Sequence, residues 1–166
     1  MPLLWYGTRM KSVAVLLHNV RSAHNVGSLF RTADAAGVSK LFLTGYTPTP
    51  RDRFGRSQKD VKKTALGAEV VVPWESEKSA TLLVRRLRKE GWTIIGVEQD
   101  PQAKDYRRIR VKASTVFVFG NEVRGLSRSL RKLCDILIEI PMHGKKESLN
   151  ISVAAGIILF SSISGS

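Results

Sequence analysis

Short, continuous apolar runs recur along this chain, without the strict alternation of a sheet that has one wet face. A parallel sheet is covered by helices on both faces and its strands are apolar throughout, so these runs favour a mostly parallel sheet. The predicted strands are residues 13–17, 40–43, 70–72, 92–97, 116–119 and 136–140.

Helical patterns lie between several of these runs, at residues 25–36, 78–90, 127–133 and 149–160. Alternating strands and helices predict an α/β fold with helices on both faces of the sheet. The predicted core face of the first helix carries Val26, Leu29, Phe30, Ala33 and Gly37. The last helix is apolar nearly all round, so we expect it to be buried in the core or against another subunit.

The composition points to a nucleic-acid partner. The chain has 166 residues, the size of one domain, and its 27 Lys and Arg against 14 Asp and Glu leave a net charge of +13. A surplus this large favours a polyanion, nucleic acid before membrane, unless the charge is spread over a solvated surface.

Two segments concentrate the positive charge. They are "RDRFGRSQKDVKK" at residues 51–63, which we expect to be an exposed, mobile loop, and "KDYRRIRVK" at residues 104–112. Basic clusters with an occasional aromatic ring suit an RNA backbone and its unstacked bases. The candidate RNA-binding residues are Arg51, Arg53, Arg56, Lys59, Arg107 and Arg108.

Several other classes of protein are disfavoured. Cys134 is the only cysteine, which excludes an intrachain disulfide, suits a reducing cytoplasmic setting and suggests a packing role. The three histidines have no metal-ligand spacing, so we expect no metal. The start of the chain lacks the pattern of a signal peptide, and the longest apolar run, residues 151–160, is too short to cross a bilayer, so no membrane partner is expected.

The stretch "FGNEVRGLS" at residues 119–127 stands between a predicted strand and a helix that Ser127 can cap. Its glycine spacing is that of a phosphate-binding P-loop. However, Leu126 stands where the P-loop lysine is needed, and Glu122 would repel a triphosphate. A nucleotide-binding enzyme of P-loop or dinucleotide type is therefore a weaker alternative, and we expect the loop to hold a different ligand.

Polar residues open the first and last helices. Asn25 is well placed to cap the first helix, and Arg31 can pair with Asp34 on its surface. Ser148 is a good cap for the last helix, whereas Asn150 would enter a buried environment and need partners there. For Asn25 and Arg31, spacing alone supports a structural role and a functional role equally.

Three segments belong together: "NVRSAHNVGSLFRTADAAGV" at 19–38, "VFVFGNEVRGLS" at 116–127 and "IEIPMHGKKESLNISVAAG" at 138–156. In order and spacing they resemble the three motifs of SpoU (TrmH-like) RNA 2′-O-methyltransferases of the SPOUT superfamily. The resemblance implies S-adenosylmethionine as the methyl donor, a ribose 2′-hydroxyl of tRNA or rRNA as the acceptor, and a homodimer. It also implies a trefoil knot in the C-terminal part, contrary to the general rule that chains do not knot.

The resemblance also implies roles for individual residues. Those that would line the cofactor site are Val97, Gly120, Ile140, Met142, Ser148 and Leu149. The implied catalytic residues are Arg31, Asn25, Glu122, Ser148 and Asn150. Because an ordinary guanidinium is always protonated, Arg31 suits a clamp on the ribose phosphate and the developing alkoxide better than a base. Displacement at the methyl carbon would leave S-adenosylhomocysteine, and alignment of the reacting atoms would supply much of the remaining rate.

Further expectations concern RNA binding and assembly. The first motif starts at Asn19, so we expect a single domain over residues 1–166 with no appended RNA-binding domain. The two basic segments would then bind the RNA, and a minimal domain slightly favours tRNA. The chain ends at "LFSSISGS", and a shortened final helix would weaken the dimer. A catalytically idle RNA-binding protein that keeps the fold and the basic surface is the alternative function.

Overall fold

The computed structural model describes residues 11–163, which form one seven-stranded sheet and six α-helices. The strands are β1 (Val13–His18), β2 (Lys40–Thr44), β3 (Trp74–Glu77), β4 (Thr93–Val97), β5 (Lys104–Asp105), β6 (Thr115–Phe119) and β7 (Ile136–Glu139). The helices are α1 (Ala23–Ala36), α2 (Lys59–Ala65), α3 (Ala68–Val71), α4 (Ala80–Lys89), α5 (Arg128–Leu133) and α6 (Ile151–Ile163), and a 3₁₀ turn spans Tyr106–Arg108.

The sheet has the order β3-β2-β1-β6-β4-β7-β5, and every pair of neighbouring strands is parallel. Alternate residues of β1 enter two separate cores. Val15 packs in the core that contains residues of α1, α2, α3 and α6, whereas Leu16 packs in the core that contains residues of α4 and α5. The prediction of an α/β fold with a mostly parallel sheet and helices on both faces is confirmed.

The predicted strand at residues 70–72 is wrong. Val70 and Val71 end α3, Val72 is its C-cap, and the edge strand β3 follows at Trp74–Glu77. The Glu69 carboxylate accepts from the Gly67 N–H at 2.9 Å and holds the first turn of this helix. Val70 and Val71 are exposed, so the apolar run does not form a buried strand.

The start and end of α1 also differ from the prediction. Ser22, and not Asn25, is the N-cap, because its hydroxyl accepts from the Asn25 N–H at 3.2 Å. Gly37 is the C-cap in the left-handed conformation and is exposed, so it does not belong to the core face. The other predicted core residues of this helix are buried.

The basic segment at residues 51–63 is exposed, but it is not a loop throughout. Its first half forms a hydrogen-bonded turn in which Asp52 Oδ1 accepts from the N–H groups of Phe54 and Arg56. Its second half belongs to α2, which packs tightly on α1: a Cβ at Gly27 would lie 2.2 Å from the Val61 carbonyl oxygen. The basic surface is therefore attached to the same helix that carries the first motif.

The helix α6 packs against α1 and the sheet through one side, while Val153 on another side is half exposed. Burial raises the pKa of Cys134 to about 11, with a further contribution from Asp135, which fits a packing role for this thiol. No helix within residues 11–163 has the length and apolar character needed to cross a membrane. The same residues contain no group of three or more His, Cys, Asp or Glu side chains able to hold a metal ion.

Candidate functional site

A cavity of about 620 Å³ lies where three neighbouring strands end. Its walls include the last residues of β4, β6 and β7, together with the beginnings of α1 and α6. Ligands of parallel α/β sheets bind outside the carboxyl ends of the strands, and this volume is typical of a pocket for a small-molecule ligand. The strand order therefore places a ligand site at this edge of the sheet.

The charge of this cavity is opposite to that of the whole chain. Four of its lining residues are glutamates, and none is a lysine or an arginine. The four are Glu98, Glu122, Glu139 and Glu147. Beside them lie apolar side chains, among them Val97, Phe119 and Ile140. Such a site favours a ligand with positive charge and an apolar ring, and it disfavours a phosphate.

The two glycines of the loop after β6 are required by close backbone approach. A Cβ at Gly120 would lie 2.4 Å from the carbonyl carbon of Gly125, where the loop closes through the Asn121–Gly125 bridge. Gly125 itself has φ +64°, and a Cβ there would lie 2.2 Å from Glu98 Oε2. The Glu98 carboxylate accepts from the Leu126 N–H, so it fixes the loop at the point where a side chain would collide with it.

Residues from all three motifs meet at the wall of the cavity. The Asn150 side-chain amide donates to Asn25 Oδ1 at 3.1 Å, and the Asn25 amide lies 3.5 Å from Glu122 Oε1. Glu122 also accepts from the backbone N–H groups of Arg21 and Ser22, immediately before α1. A chain of hydrogen bonds therefore joins the start of α6, the start of α1 and the glycine loop.

The environment of Glu122 keeps its side chain ionised. Burial by itself would raise the pKa of this carboxyl, but hydrogen bonds from the backbone of Arg21, its own backbone, Ser22 and the Asn25 amide outweigh burial. The pKa of Glu122 is therefore lowered from its ordinary value. The cavity retains a carboxylate at neutral pH.

Ten different residues were expected at the site, and nine of them line the cavity. All six expected cofactor-binding residues do so: Val97, Gly120, Ile140, Met142, Ser148 and Leu149. Of the expected catalytic residues, Asn25, Glu122, Ser148 and Asn150 line it. Arg31 does not line the cavity; its side chain is exposed on the surface of α1. Its possible ion pair with Asp34 is not among those formed within residues 11–163.

Asn150 differs from its expected environment. It is exposed, and its Oδ1 accepts from the Ser152 N–H at 2.9 Å, so it caps α6 while its amide reaches Asn25. Ser148, the expected cap, lies three residues before the first residue of α6, Ile151, and two before the actual cap Asn150. A structural role and a site role are thus combined in one side chain.

Several lining residues were not anticipated from the sequence. Glu98 and Gln99 follow β4, and the Gln99 amide donates to the Glu147 carbonyl oxygen, which fixes the segment before α6. Asn121 is buried and holds the glycine loop by accepting from the Val123 and Arg124 N–H groups. The available signal was positional, because each residue lies within two positions of the end of a strand that ends at the cavity.

The candidate RNA-binding residues are exposed, but not all of them are free. Arg56 pairs with Asp52 at 2.7 Å, Arg107 pairs with Asp105, and the Arg51 guanidinium donates to the Gly55 carbonyl oxygen. Hydrogen bonds from Arg107 lower the pKa of Asp105 to about 2. The remaining three, Arg53, Lys59 and Arg108, form none of the ion pairs found within residues 11–163.

Arg53 and Arg56 lie over the exposed Phe54 ring, with guanidinium carbons 4.7 Å and 5.1 Å from its centre. The turn therefore presents an aromatic ring between two positive groups.

Comparison with known proteins identifies the family of this chain. The chain is 34% identical over 154 residues to a protein of Pseudomonas aeruginosa named 23S rRNA (guanosine-2′-O-)-methyltransferase RlmB, covering 92% of this chain and 59% of that protein. The protein of the same name from Ralstonia nicotianae is 35% identical over 149 residues, with coverage of 90% and 57%. This chain thus spans less than two thirds of the length of these relatives.

Solved structures of RNA-modifying enzymes are also similar to this chain. An AdoMet-bound rRNA methyltransferase from Sinorhizobium meliloti superposes with a TM-score of 0.82 at 30% identity, covering 90% of this chain and 55% of that one. A TrmH/SpoU tRNA modifying enzyme from A. aeolicus gives a TM-score of 0.79 at 29% identity, with coverage of 92% and 74%. The model of the SpoU rRNA Methylase family matches residues 12–160. The whole sheet and all three motifs lie within that match, and the chain belongs to the SpoU rRNA Methylase family.

Proposed function

We propose that this chain transfers the methyl group of S-adenosylmethionine to a ribose 2′-hydroxyl of RNA. The observation that carries the proposal is the cavity at the ends of β4, β6 and β7, lined by four glutamates and no basic residue in a chain of net charge +13. A small cationic ligand suits the cavity, while a polyanion suits the surface around it. Membership of the SpoU family and the names of its relatives supply the reaction type.

The lining residues fit S-adenosylmethionine. Val97, Ile140 and Leu149 offer apolar contacts for an adenine ring, and Gly120, which packs against the Gly125 backbone, lines the same cavity. The glutamates suit the positively charged ammonium and sulfonium groups of the cofactor. The same four carboxylates would repel a nucleoside triphosphate. When bound, the cofactor would supply an electrophilic methyl carbon and leave as S-adenosylhomocysteine. The reaction so described needs no metal.

The polar chain of Asn25, Glu122 and Asn150 has a positioning role in this proposal. It fixes the N-terminal turn of α1 to the cavity wall, and hydrogen-bonding groups there would orient the ribose. The Ser148 side chain lies on the same wall and would contact the ribose or the cofactor.

Arg31 would act from a second copy of the chain. It is exposed on α1 outside the cavity of its own chain, and α1 packs against α6, whose Val153 is half exposed. A homodimer that pairs these helices would cover apolar surface and bring Arg31 of one copy to the cavity of the other. There its guanidinium would clamp the ribose phosphate and stabilise the developing alkoxide.

We also propose that the C-terminal part of the chain forms the trefoil knot that the SPOUT resemblance implies. Its support is membership of the SpoU family, and the segment between β7 and α6 is held at the end of the neighbouring strand β4 by the bond from Gln99 to the Glu147 carbonyl oxygen. The knot would close the cavity on the cofactor.

Ribosomal RNA is the first substrate to test, because the curated relatives named above are 23S rRNA methyltransferases, and tRNA is the second. Either substrate implies a cytoplasmic site of action. The turn at residues 51–57, α2 and the segment around Arg108 would contact the RNA backbone.

The test is incubation with S-adenosylmethionine labelled at its methyl group and with unmodified rRNA or tRNA. Label in one RNA class supports the proposal and names the substrate. If cofactor binds and neither RNA is labelled, the proposed transfer is contradicted for these two substrates. If no cofactor binds and RNA does, the idle RNA-binding function replaces it. Binding of ATP in preference to the labelled cofactor would contradict the cofactor assignment.

A further inference from the structure

An aromatic ring stands exposed beside the cavity. Tyr46 follows β2, and 59% of its surface is accessible, although its hydroxyl contacts a residue of the cavity wall. An exposed aromatic ring on a basic protein is typical of a surface that stacks on unpaired bases. Neither the cofactor site nor the polar chain of the three motifs uses this ring.

Hydrogen bonds hold Tyr46 at both ends. The Asn121 side-chain amide donates to the Tyr46 hydroxyl at 3.1 Å and to the Asn19 carbonyl oxygen at 3.0 Å. The Tyr46 N–H donates to Asn19 Oδ1 at 3.2 Å. Asn121 is buried and Asn19 directly follows β1, so the ring is attached to two fixed parts of the fold. Its position relative to the glycine loop is therefore set before any ligand binds.

The backbone that carries the ring adopts conformations that are unfavourable for most residues. Asn19 has φ +56° and Gly45 has φ +66°. A Cβ at Gly45 would lie only 1.8 Å from Asn19 Oδ1, the atom that accepts from Tyr46. Glycine and asparagine are the residue types that adopt this region most readily, and Gly45 leaves no room for a side chain. The backbone beside the exposed ring is therefore closely specified.

Two exposed arginines, Arg21 and Arg124, have backbone N–H groups that donate to side chains of the glycine loop. The backbone N–H of Arg21 is fixed by Glu122, and that of Arg124 is fixed by Asn121. Asn121 thus contacts both Tyr46 and the backbone of Arg124. The phosphates of an RNA strand bound at this loop would be attracted by these exposed arginines.

We infer that Tyr46 is a stacking platform for an unpaired base next to the ribose that is methylated. This inference rests on the proposed function and specifies its substrate: the target lies in a single-stranded loop or bulge, because a base in a duplex cannot reach an exposed ring. The ring would bind the nucleotide through its face, so recognition at this point tolerates different bases.

The test is the affinity of purified protein for two fluorescent probes, measured by anisotropy without cofactor. One probe is a single-stranded oligoribonucleotide of about a dozen nucleotides, and the other is the same strand paired with its complement. We expect Tyr46→Ala to weaken binding of the single strand roughly tenfold, as for loss of one base–aromatic stack, and to leave duplex binding unchanged.

Two matched variants separate stacking from packing. Tyr46→Phe keeps the ring and loses the hydroxyl, so its affinity for the single strand should stay within about threefold of the wild type. Tyr46→Leu keeps apolar bulk without a π face and should resemble Tyr46→Ala. Unchanged cofactor affinity in each variant shows that the fold and the cavity are intact.

Equal affinity of Tyr46→Ala and wild type for the single strand would overturn the inference, as would wild-type affinity in Tyr46→Leu or equal losses for both probes. The anisotropy measurement needs no methyl transfer, so its result can be compared separately with the result of the methylation assay. A wild-type protein that methylates RNA while Tyr46→Ala binds normally would reject the platform and retain the activity. Stacking without any methyl transfer would reject the activity alone.

Discussion

Asn150 and Asn25, 125 positions apart, are joined by a hydrogen bond of 3.1 Å between their side chains. The same Asn150 side chain caps α6 by accepting from the Ser152 N–H. One residue therefore starts the last helix and attaches it to the first helix at the wall of the cavity. The geometry of the site depends on this double use of a single amide.

Asn150→Asp separates these two uses. A carboxylate still accepts from Ser152 and caps the helix, but it has no donor for Asn25 Oδ1, whose own amide faces Glu122. We expect the midpoint of thermal unfolding to change little and methyl transfer to fall about tenfold. Normal turnover in this variant would show that the link between the two helices is not needed for the reaction.

Glu122→Gln should lower cofactor affinity and turnover and remove an acidic limb from their pH dependence. The pKa of Glu122 is lowered in the folded protein, so at any pH above the ordinary glutamate pKa its carboxylate is ionised and contributes fully to cofactor binding. That contribution to binding is lost as the pH falls through the lowered pKa. Titration of cofactor affinity from neutral to acidic pH measures this limb in the wild type. An identical acidic limb in Glu122→Gln would assign it to another carboxyl group.

Gly125→Ala should abolish cofactor binding. The new Cβ would meet the Glu98 carboxylate at 2.2 Å in a left-handed backbone conformation, so the loop must move. Gly55→Ala is the matched control, since Gly55 has φ +77° and nothing lies within 4 Å of its Cβ position. Both variants should lose about 1 kcal/mol or more of stability through backbone strain, while Gly55→Ala keeps cofactor affinity. Loss of cofactor binding in both would attribute the effect to general destabilisation.

Arg31→Ala should abolish methyl transfer and leave cofactor affinity nearly intact. Arg85→Ala is its control, because Arg85 is also an exposed helical arginine but lies on α4, across the sheet. If Arg31 acts on the partner's cavity, mixing Arg31→Ala with Glu122→Gln and allowing subunits to exchange restores roughly a quarter of wild-type activity, since half of the dimers then contain one intact site. Normal turnover in Arg31→Ala would refute its catalytic role, and no recovery on mixing would place its action within one chain.

Charge reversal in the turn at residues 51–57 should weaken RNA binding more at low salt than at high salt. Arg53→Glu should have the larger effect, because Arg56 is already paired with Asp52. Each lost phosphate contact reduces the slope of log affinity against log salt by about one. Arg85→Glu on α4 is the control for net charge. Equal losses in Arg53→Glu and Arg85→Glu would show that the turn is not a specific RNA surface.

The parallel sheet and most of the helices could be predicted from the sequence, because each buried strand appears as a short apolar run between helical patterns. The failure at residues 70–72 has a local cause, because the short helix there is held by Glu69 and by glycine at position 67. Apolar character alone does not distinguish an exposed helical turn from an edge strand. The short strand β5 is too brief to carry a pattern at all.

The site was predictable where several residues form a motif and was missed where single residues act alone. Glu98 and Tyr46 each follow a strand and lie outside the three motifs, whereas Asn121 lies inside the second motif but had no role assigned to it from the sequence. Their roles depend on which strands are neighbours, and strand order is a long-range property. Arg31 illustrates the same limit, because its place in the proposed reaction depends on a second copy of the chain.

The most direct test of the central claim is the chemical position of the transferred methyl group. RNA labelled by the protein should be hydrolysed with alkali, which needs a free 2′-hydroxyl to cleave the adjacent linkage. We predict that the label is recovered in an alkali-resistant dinucleotide, and that Arg31→Ala gives no label. Label recovered in a mononucleotide would place the methyl group on a base and contradict ribose 2′-O-methylation.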